Sequence, residues 1–361
     1  MSRLIASMIA CIAPLLLQPA QGATDSFKRY ELRKSGQQWQ LTLQELPRPS
    51  PGPDQVLVRV RAVALNHRDL YVLQGFYPGS REGRVPVSDG AGEVVAVGTN
   101  VKRFKAGDRV VGTFFERWVG GKPSTATFAS ARGGESDGML AQFIVSHEEG
   151  LLKFPTHLSF EEAATLPCAA VTAWNGLFTK GGLQPGQFVL LEGTGGVSIF
   201  GLQFAAAAGA KPIITSSSDE KLTRAKTLGA VGTVNYRANP DWEKEVRKLT
   251  QDAGVDQVLE VGGKDTVAKA ASSLGMGGHI ALIGGLSGFG GDLPVTAITS
   301  RGASVSSVFV GSRADFEAMN AFIERYKIKP VIDRVFEFDA AAAAFDYLKS
   351  GSHFGKVVIK L

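Results

Sequence analysis

The stretch Gly193-Thr194-Gly195-Gly196-Val197-Ser198 combines small side chains with available backbone N–H groups, between an apolar run and an alanine-rich one. Before it, Phe188-Val189-Leu190-Leu191 reads as a short buried strand; from Ile199 the chain reads as a helix packed closely on its sheet. Strand, tight turn and helix in that order let glycine backbone approach a pyrophosphate, whose charge the positive end of the helix stabilises. The pattern predicts a dinucleotide cradle of Gly193, Thr194, Gly195, Gly196 and Val197, with Ser198 at the third motif position in place of glycine.

The following strand bears on which dinucleotide. An NAD site places an acid against the ribose 2′-OH about twenty residues on. Here Pro212-Ile213-Ile214 runs into Thr215-Ser216-Ser217-Ser218 with no acid at the strand end. Ser217 with Glu220 predicts a capping box opening the next helix, and Lys221 and Arg224 share one face of it. Hydroxyls of Ser216 and Ser217 with the cations Lys221 and Arg224 suit a 2′-phosphate, so NADPH is expected ahead of NADH. The competing reading leaves both cations as solvated surface charges.

These residues need a large scaffold. The chain has 361 residues, 44% hydrophobic and 20% charged, with a formal net charge of +5, enough for two domains. No Lys/Arg block or aromatic-basic interleaving points to nucleic acid, and a small-molecule substrate is expected. Of the cysteines, Cys11 falls in a leader-like segment and Cys168 stands alone, so no disulfide framework is expected. Met1-Ser2-Arg3, the apolar run Leu4 to Leu17 and small residues up to Ala23 have the form of a secretory signal, too short for a stable membrane span. Export would separate an enzyme from reduced nicotinamide. A cytoplasmic site, with residues 1–23 as a gene-model extension, is therefore preferred to a periplasmic or secreted one.

From Lys28 to about Pro167 the pattern is mostly β. Val56 to Arg61, Gly90 to Gly98, Gly107 to Gly112 and Ala141 to Val145 read as strands, interrupted by a glycine-rich surface loop from Gly120 to Gly138. After Phe160, helix and strand alternate, with helices beginning at Glu161 and Ala170. Strands then end on small residues at Gly193, Gly262-Gly263, Gly284-Gly285 and Gly311, where backbone can approach a ligand. The tail ends in a strand, Lys356 to Ile359, expected to return to the β-rich part.

Four further stretches give the chain after its leader a family likeness. Ala64-Leu65-Asn66-His67-Arg68-Asp69-Leu70, Ser88-Asp89-Gly90-Ala91-Gly92-Glu93-Val94, Gly107-Asp108-Arg109-Val110 and Leu166-Pro167-Cys168-Ala169-Ala170-Val171-Thr172-Ala173-Trp174 resemble the medium-chain dehydrogenase/reductase superfamily. The resemblance implies an α/β protein: a GroES-like β-rich catalytic domain from residues 27–170 and 312–361, and a Rossmann doubly wound domain from residues 171–311. It further implies that Thr172 lies near the nicotinamide and that Phe309, Val310 and Gly311 line its carboxamide side, with Gly262 and Ile283 at strand ends beside the cofactor and Ser352, His353 and Phe354 flanking the mouth. A homodimer is within the family's habit.

Zinc-dependent members use Cys, His, and Cys or His where this chain has Asn66, Ser88 and Cys168, and the loop that would hold a structural zinc has no cysteine. Catalytic zinc needs three protein ligands, so the expectation is no zinc, as in the quinone-oxidoreductase-like and alcohol-dehydrogenase-like branch. The histidines His67, His147, His157, His279 and His353 show no paired metal spacing. Without a metal to stabilise an alkoxide, acceptors that delocalise the arriving charge are favoured: an activated carbonyl, a quinone or an enone. Asn66 and Tyr71 are the candidate donors to the acceptor oxygen and Asp69 their positioner, beside structural readings as loop holder, core residue and helix cap. The alternatives are a zinc-free NAD(P)-dependent alcohol dehydrogenase and a noncatalytic NADPH-binding sensor.

Overall fold

The computed structural model describes residues 26–77 and 79–361; the leader-like residues 1–23 lie outside them. β1 (Ser26–Ser35) and β2 (Gln38–Pro47) form an antiparallel hairpin reversed near Gly36 at φ +62°. β3 (Gln55–Leu65) is buried at Val56 to Val58 and at Val60, exposed at Arg59, half-buried at Arg61 and buried without a break from Ala62. It pairs antiparallel with β4 (Asp89–Val97) and continues into α1 (His67–Leu73). β5 (Arg109–Gly112), β6 (Phe143–His147) and β7 (Leu151–Leu152) extend this sheet.

The excursion from Gly120 to Gly138 is not all surface. It carries α2 (Thr125–Phe128), and Ser130 and Arg132 behind it are buried. Arg132 explains why: its guanidinium donates to Thr113 O at 3.1 Å and Ser146 Oγ at 2.6 Å and pairs with Glu116 at 3.1 Å, pinning the loop to the sheet. α3 (Phe160–Ala164) and α4 (Val171–Trp174) are joined and followed by π-helical turns, Leu166–Ala170 and Asn175–Lys180. Between the helices expected from Glu161 and from Ala170 the chain makes a widened turn, with Pro167 near its start, where a missing N–H is tolerated.

The second sheet has six parallel strands in the order β10-β9-β8-β11-β12-β13. They are β8 (Phe188–Leu191), β9 (Lys211–Ser216), β10 (Gly232–Asn235), β11 (Val255–Glu260), β12 (Leu274–Leu282) and β13 (Ser304–Ser307). Order reverses between β8 and β11, and a doubly wound sheet binds its ligand off the strand tips at such a point. α5 (Gly196–Ala207) leaves β8 and α6 (Asp219–Thr227) leaves β9. β14 (Ile332–Glu337) and β15 (Lys356–Lys360) then return to the first sheet, β15 antiparallel to β3. One apolar core, from Ala62 and Ala64 through Val171 to Phe200 and Phe204, joins the two sheets. No helix among the described residues is long and apolar enough to cross a membrane.

Candidate active site

Backbone builds the dinucleotide turn. Gly193 takes φ +71°, a conformation cheap only for glycine, as the chain leaves β8. A Cβ on Gly196 would lie 2.8 Å from Lys356 Cδ and 3.1 Å from Ala169 Cβ, so even alanine would displace the buried Lys356 stem. Gly355 N donates to Thr194 O at 3.0 Å and clamps the turn from the chain's end. The close helix–sheet packing expected of the third motif position comes instead from Gly201, whose Cβ would meet Leu191 and Leu259 at 2.8 Å. Ser198 turns its hydroxyl inward to Glu192 O at 2.6 Å.

At the tip of β9, Ser218 and not Ser217 caps α6, its Oγ accepting from Lys221 N at 3.3 Å. Glu220 is then at the second helical position, and the expected box with Ser217 does not form. Ser216 Oγ accepts from Ser218 N at 3.3 Å. Lys221 Nζ donates to Gly351 O at 3.0 Å and His353 O at 2.9 Å, while Arg224 pairs with Asp333 at 3.3 Å and lies 4.2 Å over the Phe354 ring. Both cations thus hold the loop before β15. Burial, then the Lys221 charge, pushes the His353 pKa down to about 4.

Glu192 and Glu260 form a feature the sequence reading missed. Both are buried at the tips of β8 and β11. Glu192 Oε2 accepts from Val261 N and Gly262 N at 3.3 Å each; Glu260 Oε1 accepts from Gly263 N at 2.9 Å and from Thr266 Oγ1. Burial, then the facing Glu260, holds the Glu192 carboxyl well above its usual range. The pair fixes the turn at Gly262. A glutamate directly before the first glycine of the motif was the available signal.

The corner around Asn66, the candidate for catalysis, is assembled by side chains. Asp69 Oδ2 accepts from Asn66 N at 2.8 Å, closing the first turn of α1. Lys356, at the start of β15 and 2% exposed, points its ammonium at Leu65 O, 2.7 Å away, and Asn66 Oδ1, 2.5 Å away. With Asn66 Oδ1 held this way, the buried Nδ2 is the amide's donor, and it faces the Asp89 carboxylate without closing a hydrogen bond of normal geometry. Asp89 completes the corner: Ser88 Oγ donates to its Oδ1 at 2.7 Å and Cys168 N to its Oδ2 at 3.1 Å. Burial raises the Asp89 pKa to about 6 against the opposing pull of Lys356; burial likewise lowers Lys356 and raises the Cys168 thiol.

Tyr71 donates its hydroxyl to Gly285 O at 3.0 Å, tying α1 to the loop after β12 rather than offering a donor. Thr172 is buried in α4, and Ile283 N bonds Glu260 O at 2.9 Å. Phe309 packs edge-on against Phe128 at 5.3 Å. Val310 is held at φ +54° while its carbonyl accepts from Asn175 Nδ2 at 2.7 Å. A Cβ on Gly311 would lie 2.7 Å from Val171.

Comparison with known proteins agrees with this architecture. The family "Alcohol dehydrogenase GroES-like domain" matches residues 52–156 and "Zinc-binding dehydrogenase" residues 196–325. A zinc-type alcohol dehydrogenase-like protein of Schizosaccharomyces pombe is 45% identical over 316 residues, 86% of this chain and 91% of that protein. The chain belongs to the medium-chain dehydrogenase/reductase superfamily. Within it, a crystal structure of an NAD-dependent alcohol dehydrogenase superposes with a TM-score of 0.83 at 35% identity, covering 92% of this chain and 99% of that one. A quinone oxidoreductase from Pseudomonas syringae pv. Tomato DC3000 gives 0.79 at 27%, covering 93% and 100%. As a medium-chain dehydrogenase/reductase, the protein is an NAD(P)-dependent oxidoreductase.

Zinc, implied by part of this superfamily, can be tested against the donor set. The "Zinc-binding dehydrogenase" match at 196–325 contains none of Asn66, Ser88 or Cys168. Asn66 Oδ1 already faces an ammonium, the Ser88 hydroxyl is spent on Asp89, and the Cys168 thiol is held protonated by burial and the Asp89 charge. A dication at this corner would meet Lys356 as a like charge, and the described residues bring together no group of three or more His, Cys, Asp or Glu side chains that could hold it. The set does not suit Zn²⁺. A dinucleotide does fit, because the Gly193–Val197 turn is glycine wherever a side chain would collide or strain.

Proposed function

We propose that the protein transfers hydride from NADPH to an activated carbonyl, quinone or enone without a metal, using the Asn66 amide as the donor to the acceptor oxygen. The single observation carrying this reading is the Lys356 ammonium seated 2.5 Å from Asn66 Oδ1, which fixes the amide with Nδ2 as its donor. The bound dinucleotide would be held by the Gly193–Val197 backbone, Gly262, Ile283, Thr172 and residues Phe309 to Gly311, and supplies the hydride. Its 2′-phosphate would meet the hydroxyls of Ser216 and Ser217, with Lys221 joining by releasing the Gly351 and His353 carbonyls. Asn66 stabilises the charge that develops on the acceptor oxygen, Lys356 polarises and orients Asn66, Asp89 balances Lys356, and the proton comes from solvent.

Zinc-free oxidation of an alcohol is the second reading, favoured by the likeness to an alcohol dehydrogenase structure. Initial rates with quinones, enones, aldehydes and alcohols distinguish the two. In Asn66→Leu, kcat for the best acceptor is expected to fall about 100-fold, the scale of one lost oxyanion donor, with NADPH affinity nearly unchanged. An unchanged kcat overturns the assignment of Asn66.

A further inference from the structure

Between the helix Ala341–Lys349 and β15, residues 350–355 pass from one end of the candidate site to the other. Their first half is exposed at Gly351 and Ser352 and is held to α6 by one ammonium: the half-buried Lys221 donates to Gly351 O at 3.0 Å and His353 O at 2.9 Å. Their second half is buried. Phe354 lies 4.2 Å beneath the Arg224 guanidinium, Gly355 N donates to Thr194 O at 3.0 Å, and Lys356 N follows with a bond to Val331 O at 3.0 Å. Lys356 is the residue whose ammonium holds Asn66 Oδ1. Burial, then the charges of Lys221 and Lys356, lowers the His353 pKa, so one imidazole stands beside both ammonium groups.

The two ends of this segment are held differently. At the rim, a cation is tied to neutral carbonyls, and a phosphate is a stronger acceptor for that cation. Lys221 and Ser217 both keep accessible surface there, and the exposed Gly351 carbonyl can turn to water at little cost. At the corner around Asn66, a lysine and an amide meet at 2.5 Å, where a small displacement of the backbone changes the bond. Release of the first end is therefore felt at the second.

We propose that residues 350–355 are a relay: when the 2′-phosphate of NADPH takes Lys221, the rim end of the segment is released and Lys356 is reset at the other end. This rests on the reading above for the place of the 2′-phosphate and for Lys356 beside Asn66. Lys221 is then a positioning residue for hydride transfer as well as a reader of the phosphate, and takes no part in the bonds made and broken.

Single-turnover hydride transfer at saturating cofactor, with the best acceptor, tests the relay. NADPH and NADH are identical at the nicotinamide, so a phosphate that only adds affinity leaves this rate unchanged. In the wild type the two rates are expected to differ about fivefold or more, and in Lys221→Ala, where the segment is free with either cofactor, to come within about twofold of each other. Wild-type rates within about twofold overturn the relay, and this comparison needs no variant to fold. A fivefold difference that survives in Lys221→Ala overturns it as well. Binding alone gives a second reading: hydrogen exchange across residues 350–356 should quicken about threefold or more with saturating 2′,5′-ADP and not with ADP. Tighter binding of 2′,5′-ADP than of ADP with exchange unchanged removes the relay and leaves the phosphate reading standing; equal binding of the two removes both.

Discussion

The candidate dinucleotide cradle and the candidate catalytic corner touch through Lys356, yet they are made in opposite ways. The cradle is one short stretch, Gly193 to Val197, and its work is done by backbone N–H groups and by side chains that are missing. The corner gathers Asn66, Asp89, Cys168 and Lys356 from distant parts of the chain, with Asn66 and Lys356 separated by 290 positions. Its work is done by charge. A backbone site tolerates change in every surrounding side chain that keeps out of its way, whereas a buried charge cluster fails when one member is removed.

Replacing Lys356 should give the largest effect and separate the two regions most clearly. Lys356→Met strands the carboxylate of Asp89 and releases Asn66, so kcat should fall about 100-fold or more and the fold should lose about 3–5 kcal/mol. NADPH affinity should change little, as fluorescence titration would register; a matching loss in affinity would mean that cradle and corner are one unit. Gly196→Val attacks the contact from the other side, because its Cβ would meet Lys356 Cδ. Dinucleotide binding should weaken tenfold or more, and kcat at saturating NADPH should also drop as the lysine stem shifts. Tight binding by this variant would remove the steric account of the glycine.

A smaller effect is expected at the rim of the cradle. Lys221→Ala should weaken NADPH about tenfold and NADH much less, because only the former carries the 2′-phosphate. Equal losses, measured by direct titration of both nucleotides, would make Lys221 purely a strut for Gly351 and His353. Smallest is Glu192→Gln. The folded Glu192 pKa lies above its unfolded value, so the wild type loses stability as pH rises through the unfolded value toward the folded one. The amide removes that penalty and can donate to Glu260, so urea denaturation above pH 7 should show a gain of about 1 kcal/mol that shrinks on acidification. A loss at every pH would contradict a Glu192 carboxyl held above its usual range.

The sequence was most legible where function is contiguous. The strand, turn and helix around Gly193 announce themselves locally, though the close-packing glycine proved to be Gly201 and the cap of α6 Ser218. The likeness to the superfamily placed Asn66 and Cys168, but nothing local said what would stand between them. Lys356 opens a strand whose next three residues, Val357 to Ile359, are apolar and buried. A lysine in such company needs a buried partner, and that was the signal available. Arg68 and Arg132 went unread for the same reason: an arginine in a polar stretch looks solvated until tertiary packing places rings or carbonyls around it.

Turnover after metal removal tests the central claim most directly. Purified protein treated with a strong zinc chelator, exchanged into metal-free buffer and checked by mass spectrometry for metal content should reduce its best acceptor with NADPH at the untreated rate, carrying far less than one zinc per chain. Stoichiometric zinc in the active protein, with activity lost on its removal and regained on its return, would contradict a reaction centre built on Lys356 and Asn66.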